Sequence, residues 1–135
     1  MRVLFWYCDR LAWTPIRKTL EDVPDAAPGG ESGAVAAFVH VEPQDADRAG
    51  KVETKLVKNC KWLCGKWGTQ RVVLHSFTHL AEDKGDPDLA RGILERAHQR
   101  LNDAGYAAVE TPYGHFHDLE LKAPGHPLAR IFKQL

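Results

Sequence analysis

"KVETKLVKNCKWLCGKWGTQRVVLHSF", Lys51 to Phe77, decides the fold because it changes period halfway along. Val52, Leu56, Cys60, Leu63, Cys64 and Trp67 recur at steps of three and four, which predicts one apolar face of a helix. Lys51, Lys55, Lys58, Lys61 and Lys66 fall mostly elsewhere. Gly68 then stops the helix, and "RVVLHSF" reads as a buried strand. A helix feeding directly into an apolar strand points to a mixed α/β domain rather than a bundle or a sandwich.

The elements on either side fit that class. "RVLFWYCD" predicts a strand over Arg2 to Tyr7, and "GAVAAFVHVE" a central strand over Ala34 to Val41. Between them, residues 20 to 33 are rich in Pro, Gly and acid and read as a loop. Asp86 caps a second helix, Pro87 fits its first turn, Leu89, Ile93, Leu94, Ala97 and Leu101 form its stripe, and Gly105 closes it. Strands follow at "YAAVE" and "HFHDLELK" around the turn "TPYG", and a short helix is predicted from Pro127 to Leu135. The predicted order is β, β, α, β, α, β, β, α.

At 135 residues a single domain is expected. Zero formal net charge and 44% apolar residues exclude a disordered tail and give no global bias toward nucleic acid or membrane. Charge is therefore a local question. No apolar run reaches the roughly 20 residues of a membrane span. Cys8, Cys60 and Cys64 are an odd set, and "MRVLFWYCDR" lacks the apolar core of an export signal, so a reduced, cytoplasmic setting is expected. Cys60 and Cys64, one helical turn apart on the apolar face, read as small hydrophobes.

Chemistry-bearing residues gather late in the chain. In "HFHDLELK" alternation puts His115, His117, Leu119 and Leu121 on one face, so two imidazoles point the same way. They suit a site or two histidines satisfied at a strand end. His75 and His79 stand where a strand ends, the position at which open α/β sheets bind ligands. If His79 meets His115 and His117, the three could hold zinc with an open position for water. His126, ahead of Pro127, reads as a helix-entry residue. The five lysines, with Arg48 before and Arg71 after and only Glu53 opposing, form either a solvated face or a strip for a phosphate backbone. Trp62 and Trp67, at near-helical spacing, are expected to pack.

Taken together, "MRVLFWYCD", "VAAFVHVE", "VVLHSFTHLAED", "DPDLARGILERAHQRLNDAGY" and "TPYGHFHDLELKAPGHPLAR" resemble the editing domain of archaeal threonyl-tRNA synthetases. "SFTHL", "PYG" and "KAPGHPLA" are the most specific pieces. The resemblance implies a D-aminoacyl-tRNA deacylase-like fold, a homodimer, and hydrolysis of serine wrongly attached to threonine tRNA. It looks like a freestanding version. By the match, the site lies between Ser76 to His79 and the strand after "PYG"; His79 helps hold substrate, the backbone at Phe77 and Thr78 lines the pocket, and Phe116 takes the place of a family aromatic. Two positions depart: His117 stands where the family has lysine, and Arg130 where an acid is common. A neutral imidazole, with an ordinary pKa of about 6.5, can still accept a proton near pH 7. The resulting expectation is that His117 positions or activates water while His79 and His115 orient substrate. No cofactor is expected, with zinc as the alternative. A metal-dependent hydrolase and a noncatalytic tRNA- or nucleotide-binding module are the competing readings.

Overall fold

The computed structural model describes residues 1–135. Along the chain run β1 (Arg2–Lys18), β2 (Gly29–His40), a 3-10 helix (Pro43–Arg48), α1 (Ala49–Trp67), β3 (Arg71–Ser76), α2 (Pro87–Asp103), β4 (Ala107–Glu110), β5 (His115–Lys122), a 3-10 turn (Pro127–Ala129) and β6 (Arg130–Gln134). The sheet order is β4-β3-β2-β1-β5, and β6 also pairs with β1. β2, β3 and β4 are parallel neighbours, whereas β1 runs antiparallel to β2, β5 and β6. This is the expected mixed α/β fold.

Three boundaries differ from the sequence reading. β1 runs on to Lys18 because Leu11 and Trp13 keep alternating inward, and because β2 and β5 offer hydrogen-bond partners on its two edges. The loop shrinks, since Gly29 to Gly33 belong to β2. The expected C-terminal helix is a single 3-10 turn followed by a strand. Pro127 starts the turn, but Arg130 to Gln134 then meet the free edge of β1, with Leu4 opposite Phe132 and Trp6 opposite Arg130. Alternating half-burial of Ile131 and Lys133 fits the strand. His126 does enter a helical turn: its Nδ1 accepts from Leu128 N–H at 3.0 Å.

The two helices cover one face of the sheet. Val3, Phe5, Val35, Ala37, Val39, Val72 and Leu74 pack there against α1 and α2. α1 contains Gly65 in its interior, which costs about 1 kcal/mol. The burial of Val52, Leu56, Val57, Cys60, Leu63 and Cys64 outweighs that, at about 1.5–3 kcal/mol for a large side chain. Burial also pushes the thiols up, Cys64 to about 11 and Cys8 to about 12, so they behave as apolar filler. Gly68, at φ 66°, ends α1 in the left-handed region. Asp86 caps α2 by accepting from the amides of Asp88 and Leu89.

A smaller core of Cys8, Leu11, Trp13, Ala34, Ala36, Phe38 and Val73 lies on the opposite face. Here the sheet curls. β3 and β5 have β2 and β1 between them, which in a flat sheet means about 14 Å at three strand spacings. Yet His75 of β3 and His117 of β5 have ring centres 5.6 Å apart. Part of the bend lies at Ile16, an extra residue in β1: Pro15 pairs with His117 and Arg17 with Phe116. Bulges of this kind turn a strand and re-aim its neighbours.

Candidate active site

The curl encloses a cleft of about 690 Å³ at the carboxyl ends of β2 and β3. Ser76, Phe77, Thr78 and His79 form one wall, and His115, Phe116 and His117 another. All seven residues singled out from the sequence thus line a single cavity. Pro87, Ala90 and Leu94 of α2 close a third side.

On β5 the alternation reads as expected, with His115 and His117 half-buried and Phe116 exposed. Leu119, which shares the histidine face, is 39% exposed, so that face borders a cleft rather than the core interior. His115 donates from Nδ1 to the carbonyl of Tyr113 at 3.1 Å, fixing its ring. Its Nε2 is buried without a protein partner, and so is Nε2 of His117. Burial, then the neighbouring His115, holds the His117 imidazole below its ordinary 6.5. The two rings are 6.1 Å apart between centres. His79 is exposed at the rim, its ring edge-on to Phe77 at 5.0 Å.

Behind His117 stands His75, 5% exposed, which the sequence marked only as a strand-end histidine. Its Nδ1 lies 2.8 Å from Oγ1 of Thr111, itself buried. Burial first, then His117 and His79, lowers its pKa to about 4, so the ring is neutral at pH 7. Thr111 had read only as the start of a turn. Arg17, Lys18 and Lys84 also border the cleft. The first two sit in the second half of β1, where Asp9, Arg10 and Pro15 break the strand pattern, and Lys84 lies in a loop that carries no periodic signal.

The loop between β3 and α2 is pinned from below. His40, fully buried at the end of β2, accepts the amide of Leu80 on Nδ1 at 3.0 Å and donates from Nε2 to the carbonyl of Asp83 at 2.7 Å. Backbone bonds from Phe77 N–H to Val39 O and from Gly85 N–H to Val41 O hold its two ends. Gly114 opens β5 at φ 79°, and its carbonyl accepts from Thr19 N–H at 2.8 Å.

A curled mixed sheet with two helices on one face and a cleft at its carboxyl end defines a D-aminoacyl-tRNA deacylase-like fold. The chain superposes on c-Myc DNA unwinding element binding protein with a TM-score of 0.69 and 11% identity, covering 100% of this chain and 99% of that one. That likeness concerns the fold alone. The model of the archaea-specific editing domain of threonyl-tRNA synthetase matches residues 1–135, and the chain belongs to that family. It is similar to threonine–tRNA ligases of Methanopyrus kandleri, 28% identical over 133 residues, and of Pyrobaculum arsenaticum, 30% identical over 140 residues. These alignments cover 97% and 98% of this chain but 21% and 22% of the relatives. The chain therefore spans about a fifth of their length.

Proposed function

We propose that this chain is an aminoacyl-tRNA deacylase that hydrolyses the ester of a mischarged tRNA, seryl-tRNA for threonine being the family's expectation. The observation that carries this reading is the half-buried His117 imidazole on the cleft wall, its Nε2 unpartnered within the protein. Buried polar atoms are ordinarily paired, so such a nitrogen is suited to a group that arrives with substrate. A neutral imidazole accepts the proton of a water as the water oxygen attacks the ester carbonyl. The proton then passes to the departing ribose oxygen, releasing free amino acid and tRNA.

His115, held by Tyr113, and His79 at the rim orient the aminoacyl group. Ser76, Phe77, Thr78 and Phe116 shape its seat, and backbone amides from Phe77 to His79 are the donors available to the developing oxyanion. Arg17 and Lys84 offer positive charge to the terminal nucleotide. Enclosure suits the task, because a synthetase cannot reject a near-isosteric amino acid by much on binding alone. The chain acts as a cytoplasmic homodimer in this reading.

Deacylation of seryl-tRNA by wild type and His117→Ala tests it: the variant loses about 10²- to 10⁴-fold, the usual worth of a general base. Equal rates end the assignment. Metal analysis of the purified protein, with activity before and after chelation, tests the zinc alternative on His79, His115 and His117. Light scattering tests the dimer.

A further inference from the structure

Helix α1 turns its lysines away from the sheet. Lys51, Lys55, Lys58 and Lys66 are exposed, while the apolar stripe between them is buried. With position 62 they follow steps of four, three, four and four, so they form one ridge about 22 Å long. Position 62 is Trp62, whose indole is 43% exposed, against the expectation that it packs. Trp67 does pack, stacked on Tyr7 at 4.1 Å and bonded through Nε1 to the carbonyl of Leu128. Nζ of Lys66 lies 5.9 Å from the Trp62 ring centre, and Nζ of Lys133 on β6 lies 5.0 Å from it.

Two features set this ridge apart from an ordinary solvated face. None of the five lysines has a carboxylate partner. The one acid of α1, Glu53, points inward, buried, and binds Arg96 at 2.6 Å and Arg100 at 3.0 Å of α2. Surface helices ordinarily gain from acid–base pairs at this spacing, and like charges there are unfavourable by a similar amount. A chain of zero formal charge thus concentrates unneutralised cations around one exposed aromatic plane. Cations that track a backbone beside an aromatic stacking surface are the chemistry that holds unpaired nucleic acid strands.

We infer that the α1 ridge is a second RNA contact, separate from the cleft. Lys51, Lys55, Lys58, Lys66 and Lys133 bind phosphates, and Trp62 stacks on an unpaired base. The ridge begins just after the 3-10 helix that follows β2, and Val39 and Val41 at that end of β2 line the cleft. An RNA at the carboxyl end of the sheet meets the ridge at Lys51 and follows α1 for roughly 16 Å to Trp62. That the RNA is tRNA rests on the deacylase reading above; binding of an RNA strand by the ridge does not.

Fluorescence anisotropy with a labelled single-stranded RNA and with uncharged tRNA tests the ridge, using wild type, Lys55→Ala/Lys58→Ala, Trp62→Ala and Trp62→Phe. Wild type binds, and the double lysine variant lowers the slope of log K against log salt by about 1.4. Trp62→Ala weakens binding roughly tenfold, whereas Trp62→Phe retains most of it. Hydrolysis of seryl-adenosine, too short to reach the ridge, stays at the wild-type rate in every ridge variant. No RNA binding by wild type, an unchanged salt slope in the lysine variant, or binding only to phosphatidylserine vesicles overturns the inference. RNA binding through the ridge without hydrolysis of either ester overturns the deacylase reading and leaves the ridge standing.

Discussion

The ring of His75 on β3 meets that of His117 on β5 at 5.6 Å and 67°, edge toward face, across a sheet that places two strands between them. The contact gives the catalytic candidate a neutral neighbour. It also ties the site's protonation to the curl of the sheet, since both rings lose water by the same closure.

The first consequence is a pH profile. Burial, with His115 as the second cause, lowers the His117 pKa, so its base form persists below pH 6.5. The acid limb of kcat/KM for deacylation, corrected for uncatalysed hydrolysis, falls below pH 6.5. In His117→Lys the limb moves to higher pH, because a lysine is ordinarily protonated to about 10.4. A wild-type limb centred above 6.5 contradicts His117 as the base.

His75 governs stability instead. Its folded pKa of about 4 is depressed from about 6.5 in the unfolded chain, so the unfolded state takes up the proton first. The stabilising contribution is complete above about pH 6.5 and is lost as pH falls toward 4. The loss amounts to about 3 kcal/mol at 1.36 kcal/mol per pKa unit. Urea titrations from pH 7.5 to 4 show this slope in wild type, and His75→Gln flattens it. A slope that survives the substitution assigns it to other groups.

Removing His40 loosens one wall of the cleft. His40→Ala leaves Leu80 N–H and Asp83 C=O without their partner and opens a hole under the loop. The expected cost is about 2–4 kcal/mol. Hydrogen exchange at the Leu80 amide quickens more than at the α1 amides. Uniform protection across loop and helix shows that His40 does not pin the loop.

Gly114 tolerates no side chain. A Cβ there lies 2.7 Å from Cγ1 of Val23 and 3.3 Å from Cδ1 of Leu20, at a φ of 79° that other residues avoid. Gly114→Ala destabilises by about 1–3 kcal/mol in thermal or urea melts. It also shifts β5, so activity falls further than stability alone explains. Wild-type stability contradicts the close approach.

Signals carried within a few residues were legible in the sequence. Asp86, Pro87 and Gly105 marked α2, alternation in "HFHDLELK" put His115 and His117 on one face, and "SFTHL" with "PYG" marked the two cleft walls. Features that depend on distant partners were not. Ile131 and Lys133 form a strand only because the edge of β1 is free to receive them. The His75–Thr111 pair requires the curl, and no local period encodes it. Asp9, Arg10 and Pro15 disguise the second half of β1, which took Arg17 and Lys18 out of view. Trp62 was expected to pack and Glu53 to oppose the lysines; instead α2 offers its arginines to the acid, and the indole stays 43% exposed beside Lys66 and Lys133.

Strand β1 has Arg2 opposite His40 on one edge and opposite Gln134 on the other. Translation delivers about 5–20 residues per second, so several seconds separate the first pairing from the second. Once Asp103 is made the chain already carries both helices, yet one border of β1 stays open and the hollow has no far wall until β5 follows. The cleft therefore waits for β5, and a chain interrupted after Glu110 is a partly built sheet with an unprotected, sticky margin.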